Sequence, residues 1–304
     1  MSGDPGHRGR LLALVAIPVL MAGAWACGSG TGSTDGKIVA VAGENFYGDL
    51  ISRVGGDLVD VTSIISDPAV DPHTYESNTQ SAEAVADATL VVENGLGYDA
   101  FLDHLLGASP RSDRKVINVQ QVLGVPDGSN AHVWYDPATM PKVARAVADA
   151  LEQLEPDSKA AFEANLGTYL DSFAPFTARI AEIKARFPGT AVAYTEPVPG
   201  DLIAALGFNS LTPQGFARAI ENGTDPAPAD VAAEQDLLTG HKVSLLLYNS
   251  QATSPVTESI KSMAGQSGVP VVGVSETIPK QNESFVDWQL AQLNEIAAAL
   301  GGIR

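Results

Sequence analysis

Short apolar runs alternate with amphipathic stretches along most of the chain. Runs of strand length lie at residues 38–42, 58–65, 89–92, 116–119, 190–195, 208–211, 243–248 and 269–274. Stretches with apolar residues at helical spacing lie between them, at residues 45–54, 81–87, 98–106, 201–206, 230–239, 255–266 and 284–300. Strands that alternate with helices are typical of parallel sheets covered by helices, so the pattern predicts an α/β fold.

The alternation stops in the middle of the chain, where residues 137–187 contain no strand pattern. Helices are expected at 142–154 and at 159–186, and the second would span about 40 Å as one rod. Pro175 lies inside it and should kink or break it. We therefore predict two lobes with mostly parallel sheets, joined by a long helical segment. The expected boundaries are an N-terminal lobe at residues 37–155, a linking helix at 156–188 and a C-terminal lobe at 189–304.

The start of the chain has the pattern of an export signal. Arg8 and Arg10 precede a 16-residue apolar run at residues 11–26. That run is short for a membrane span and fits the core of a signal peptide. We expect residues 1–26 to be removed, and the Gly- and Ser-rich residues 27–36 to form a flexible tether.

Cys27 is the only cysteine of the chain and follows the apolar run directly. One interpretation is a small residue that happens to lie near a cleavage site. The segment Ala24-Trp25-Ala26-Cys27, however, resembles a lipobox, in which the cysteine is lipidated after cleavage. We therefore predict an exported protein that begins at Cys27 and is lipid-anchored at the outer face of the cytoplasmic membrane. A single cysteine also means that no disulfide forms within the chain.

The sequence is strongly acidic. It contains 36 Asp and Glu against 18 Lys and Arg, which gives a net charge of −18 at pH 7. This balance argues against nucleic acid as a partner, because nucleic-acid binding needs a basic surface. A negatively charged body instead attracts cations.

Two histidines and two glutamates lie beside stiff loops or strand ends. Pro72 fixes its own backbone and presents His73 from a non-helical loop, and His132 has a similar neighbourhood in the segment NAHVWYDP. Glu196 and Glu276 each follow an apolar run. Because ligands of open α/β sheets bind beyond the carboxyl ends of the strands, these side chains can converge in a cleft between the lobes. Two imidazoles and two carboxylates can form a site for a divalent transition metal.

The other histidines are predicted to lie away from this site. His7 belongs to the predicted signal peptide, His104 to a solvated helix face and His241 to the surface before a strand. Three further carboxylates are expected on the surface or behind the ligands: Glu76, Glu93 and Asp136. Of these, Glu76 or Asp136 could orient a ligand histidine.

Four segments together carry a family resemblance. Residues 44–48 (ENFYG), 71–76 (DPHTYE), 94–99 (NGLGYD) and 132–137 (HVWYDP) resemble the metal-binding solute receptors of zinc/manganese ABC transporters, the cluster A-I lipoproteins. The resemblance covers the chain after the tether. It implies a receptor, not an enzyme, that holds one ion between two lobes and hands it to a membrane permease. We expect such a receptor to act as a monomer.

The resemblance also assigns the ligands by position. His73 and His132 would be the ligands from the first lobe, and Glu196 and Glu276 those from the second. A set of two imidazoles and two carboxylates favours Mn²⁺ slightly over Zn²⁺ as the expected ion, because carboxylates suit manganese and imidazole suits both ions. Pro175 and the lack of a His-rich loop depart from the family pattern.

Two other functions remain open on the sequence. A metallohydrolase can use two histidines and a carboxylate to activate water, but the chain has no HExxH segment and four protein ligands leave no open position. A receptor for a small organic solute could share the same two-lobed frame. In that case His73 and His132 would have no evident purpose.

Overall fold

Two parallel sheets of four strands each form the framework of this computed structural model, which describes residues 36–301. The predicted signal peptide, Cys27 and all of the predicted tether except Gly36 lie outside the described residues. Within residues 36–301, no helix is both long enough and apolar enough to cross a membrane. The prediction of an α/β fold with parallel sheets is confirmed.

The first sheet has the strand order β2-β1-β3-β4. Its strands lie at Ile38–Glu44 (β1), Val59–Ile65 (β2), Leu90–Glu93 (β3) and Lys115–Asn118 (β4). Ala40 of β1 is paired with Val61 on one side and Leu90 on the other, so β1 is an interior strand. Its apolar side chains are buried, as expected for a parallel strand covered on both faces.

The second sheet repeats this arrangement with the order β6-β5-β7-β8. Its strands lie at Ala191–Tyr194 (β5), Asn209–Ser210 (β6), Leu245–Asn249 (β7) and Val271–Val274 (β8). The strand predicted at 208–211 is reduced to two residues, since β6 is an edge strand that pairs with β5 only. The ends of β5, β7 and β8 carry Glu196, Asn249 and Glu276 toward one edge of the sheet.

Helices connect the strands, as the sequence predicts, with shifts of a few residues at their ends. They lie at Asn45–Gly55 (α1), Thr79–Asp87 (α2), Ala100–Ala108 (α3), Val119–Leu123 (α4), Thr139–Leu154 (α5), Lys159–Asp171 (α6), Ala174–Arg186 (α7), Gly200–Ala205 (α8), Gln214–Glu221 (α9), Pro228–Thr239 (α10), Pro255–Gln266 (α11) and Phe285–Ala299 (α12). The helices α4 and α9 were not predicted from the sequence.

The long helical segment predicted before the second sheet is two helices. The chain leaves α6 at Ser172, and α7 begins at Ala174 with Pro175 in its first turn. Proline is well tolerated there, because its missing N–H has no partner in the first turn of a helix. The expected interruption near Pro175 is therefore confirmed.

A layer of aromatic side chains connects the two sheets. The ring of Phe46 from α1 stacks on Trp134 at a centroid distance of 4.5 Å and on Trp288 from α12 at 6.3 Å. These rings belong to one continuous cluster of buried apolar residues that includes Ala42 of β1 and Leu247 of β7. The two sheets thus share a core, which fixes the position of the loops at their carboxyl ends.

Candidate metal centre

His73 lies in a single turn of 3₁₀ helix at Pro72–Thr74. Asp71 precedes this turn in an extended conformation, and its Oδ1 accepts a hydrogen bond from the backbone N–H of His73 at 2.9 Å. Pro72 is buried, while the side chain of His73 is 21% exposed. The loop therefore holds the imidazole in place and leaves it within reach of solvent.

His132 is fully buried and precedes a second 3₁₀ turn at Val133–Tyr135. Its Nδ1 lies 2.9 Å from Oδ1 of Asn130, which can only accept a hydrogen bond. This contact places the proton of the neutral ring on Nδ1 and leaves the lone pair on Nε2 free to bind a metal. Asn130, rather than one of the predicted carboxylates, orients this histidine.

Glu276 brings the two histidines together. It follows β8 and is fully buried, and its Oε2 lies 3.2 Å from Nε2 of His73 and 3.3 Å from Nε2 of His132. Tyr98 donates a hydrogen bond to the same oxygen at 2.8 Å. Nε2 of His73 is a buried atom without a hydrogen-bond partner, so its contact with Glu276 lacks hydrogen-bond geometry. Ligand atoms of these three residues all lie within 4.8 Å of one another, as a metal site requires.

Glu196 lies beside this group and is joined to it through an amide. It follows β5, precedes Pro197 and is 1% exposed. The side-chain N–H₂ of Asn249 donates to Oε2 of Glu196 and, at 2.7 Å, to Oε1 of Glu276. Oε1 of Glu196 is buried and has no partner. The structure thus brings His73, His132 and Glu276 together, and places Glu196 next to them.

A cleft of about 260 Å³ reaches Glu196 at the side of this group. Asp71, Glu196 and Asp225 contribute carboxylates to its lining. The carboxylates of the cleft favour the approach of a cation to Glu196.

The buried groups shift one another's pKa values. Burial alone would raise the pKa of Glu276, but the close contact and charge of His132 and His73 outweigh burial and hold this pKa well below its ordinary value. Burial alone would lower the pKa of His73, yet Glu276 and its neighbours raise it to about 9. Burial and repulsion by Glu276 raise the pKa of Glu196 to about 8. A cation among these groups would displace their protons, so metal binding should release protons.

The other candidates from the sequence lie elsewhere. His104 and His241 are exposed, as predicted, and His7 is outside the described residues. Glu76 is exposed, Glu93 accepts a hydrogen bond from Asn118, and Asp136 accepts one from the backbone N–H of Ala138. The expectation that Glu76 or Asp136 orients a ligand histidine is not met: Asn130 contacts the ring of His132, and Asp71 accepts a hydrogen bond from the backbone N–H of His73.

Comparison with protein families identifies this architecture. The family "Zinc-uptake complex component A periplasmic" matches residues 40–299. The chain belongs to this family. The resemblance to metal-binding receptors of ABC transporters, drawn from four segments of the sequence, is thereby confirmed.

Curated relatives of the zinc-uptake component A family have names that refer to metals. The chain is 28% identical over 162 residues to the "Manganese-binding lipoprotein MntA" of Halalkalibacterium halodurans. The aligned region covers 52% of this chain and 53% of the relative. It is 25% identical over 224 residues to the "Zinc-binding protein TroA" of Treponema pallidum, covering 70% and 72%. The chain spans little more than half the length of the first of these relatives.

Solved structures share the fold. The periplasmic zinc-binding protein TroA from Treponema pallidum superposes with a TM-score of 0.75 at 20% identity, covering 87% of this chain and 99% of that chain. A crystal structure of ZnuA gives a TM-score of 0.69 at 20% identity, covering 87% and 97%. The arrangement of two parallel sheets is thus that of the zinc-uptake component A family.

Proposed function

We propose that this protein is an extracytoplasmic receptor that binds one Mn²⁺ or Zn²⁺ ion and delivers it to the permease of an ABC transporter. The observation that carries this proposal is the meeting of Nε2 of His73, Nε2 of His132 and Oε2 of Glu276 in one buried position. Glu196 would be the fourth ligand. His73 and His132 come from loops associated with the first sheet, and Glu196 and Glu276 from strand ends of the second.

The chemistry of these donors fits a divalent ion. Two carboxylates neutralise two positive charges, and neutral imidazole nitrogens complete a set that suits Zn²⁺ or Mn²⁺. Two buried ligand atoms, Nε2 of His73 and Oε1 of Glu196, have no hydrogen-bond partner. Such buried polar atoms are costly unless something pairs with them, and a cation would do so.

The family and the names of the relatives support a receptor over a metallohydrolase or a receptor for an organic solute. In the proposed protein, residues 37–155 form one lobe, 156–188 the linking segment and 189–304 the other lobe. The mature receptor acts as a monomer and is held at the outer face of the cytoplasmic membrane by a lipid on Cys27. Curated relatives named lipoproteins support this placement.

The purified protein is expected to hold one divalent ion per chain. Ions bound by two buried carboxylates and two imidazoles should survive overnight dialysis and leave when a strong chelator is added. Elemental analysis after dialysis and mass spectrometry under non-denaturing conditions measure the stoichiometry. Protein that retains no ion after incubation with either Mn²⁺ or Zn²⁺ would rule out the proposed receptor. A bound organic molecule in its place would favour the organic-solute alternative.

Cys27→Ala is expected to abolish anchoring. Without the thiol there is no atom to lipidate, so the variant should appear in the soluble extracytoplasmic fraction or keep its leader uncleaved. Membrane fractionation and N-terminal sequencing of the variant and the wild type measure the change. Unchanged membrane retention together with an unchanged N-terminus would contradict the prediction.

A further inference from the structure

Gln251 connects the loop of His73 to the backbone around Glu276. It lies just after β7 and is half-buried. Its Oε1 accepts hydrogen bonds from the backbone N–H of Glu276 and, at 2.9 Å, from that of Thr277. Its Nε2 donates to the backbone carbonyl of Pro68 at 3.0 Å and to Oγ1 of Thr277 at 2.8 Å. One side chain therefore joins two segments that each carry a candidate ligand.

The Glu276 end of this connection is held in place by other contacts. Ile278 follows it closely, and its backbone N–H and carbonyl are both bound by the side-chain amide of Asn45 in α1, at 2.9 Å each. The backbone N–H of Gln251 itself donates to Oδ1 of Asn249 at 3.0 Å. The glutamine is thus fixed at its base, and its Nε2 is aimed at the loop of His73.

The loop of His73 has less support of its own. Residues 66–69 are exposed. Among the described residues, every other hydrogen bond of residues 67–74 stays within residues 67–75, such as the bond from the backbone N–H of Val70 to the carbonyl of Asp67. These internal bonds shape the loop without attaching it to the rest of the chain. Apart from the packing of Pro72 and the ring of His73, the bond from Gln251 is what attaches it.

We propose that Gln251 is a positioning residue that holds the loop of His73 closed over the metal site. The contact that keeps the loop in place also keeps Nε2 of His73 at 3.2 Å from Oε2 of Glu276, since Gln251 binds the backbone of both segments. Without Gln251, His73 would leave the ion more often while the other ligands stay, so the ion would dissociate faster. This inference rests on the proposed metal receptor.

Ion dissociation from matched variants tests this role. Gln251→Ala removes the side chain, and Gln251→Met replaces it with one of similar length that has no N–H to donate. Both should release Zn²⁺ to an excess of chelator about 10-fold faster than the wild type or more, in the range of affinity losses behind metal ligands. Gln266→Ala is the control, because Gln266 is exposed and donates to Ser262 within α11. Its rate should equal that of the wild type. Stopped-flow mixing with a chromophoric chelator measures each rate.

A double substitution separates this role from a general loosening of the fold. In a His73→Ala background the loop carries no ligand, so Gln251→Ala should add little further acceleration, as expected for two residues that act as a unit. The equilibrium affinities should show the same non-additivity. Equal acceleration in both backgrounds would mean that Gln251 acts on Glu276 alone or on the fold, which would overturn the inference.

The outcomes also separate this inference from the function on which it rests. If the wild type binds an ion and the Gln251 variants keep its dissociation rate and affinity, the role of Gln251 is wrong and the receptor stands. If the wild type binds neither Mn²⁺ nor Zn²⁺, the proposed function fails and the inference fails with it.

Discussion

His73→Ala is expected to weaken the binding of both Zn²⁺ and Mn²⁺ by more than about 100-fold, beyond the range of changes that leave all ligands in place. The substitution removes one of the two imidazole donors that meet Oε2 of Glu276. Because the side chain lies on a partly exposed loop, its removal should leave the fold intact. Titration calorimetry of the purified variant measures the loss.

His104→Ala and His241→Ala are matched controls for this prediction. Both remove an exposed imidazole at a distance from the site, so both should bind metal as the wild type does. Equal affinities for His73→Ala and His104→Ala would show that the metal site lies elsewhere in the chain. A large loss in His241→Ala would point to the same conclusion.

A saturating ion is expected to raise the melting temperature of the wild type by about 8–16 °C. Free ion at about 1,000 times its dissociation constant stabilises the native state by about 4.1 kcal/mol. Each kcal/mol corresponds to about 2–4 °C for a domain of this size. Thermal unfolding with chelator and with added Zn²⁺ measures the difference. A melting temperature that does not change with either ion would contradict the proposed site.

The increase in melting temperature that the ion causes should depend on pH. Glu276 raises the pKa of His73 to about 9, so below that pH the ion must displace a proton from His73. The shift is therefore largest near pH 9 and becomes smaller as the pH falls, because protons compete more strongly for the imidazole. Melting curves at pH 6 and pH 8 with the same free ion concentration test the direction. A larger shift at pH 6 would contradict it.

The sequence predicts the parts of this site that depend on local backbone geometry. The proline before His73 and the 3₁₀ turn after His132 stiffen the loops around both histidines. Glu196 and Glu276 follow apolar runs that the structure confirms as β5 and β8. Because parallel strands end at one edge of a sheet, their convergence follows from the alternation of strands and helices alone.

Other features depend on contacts between distant parts of the chain. Asn249 is 53 residues from Glu196, and nothing in its neighbourhood marks it as a link between two carboxylates. Its position at the end of a buried strand was the only available signal. Tyr98 is 178 residues from Glu276, although it lies in a segment that the family resemblance includes. Helix α4 has only five residues, and α9 was missed although Phe216, Ala217 and Ile220 give it an apolar face at helical spacing.

The aromatic layer beneath the site has a consequence for how fast an ion can leave. Swinging the two sheets apart would separate Phe46 from Trp288 and expose the apolar surface between them, at about 25 cal/mol for each Å². This cost opposes wholesale opening. In the proposed receptor, the residence time of the ion is expected to depend on the partly exposed loop of His73, the ligand that lies within reach of solvent. The permease of the proposed transporter would then hasten release by displacing this small segment.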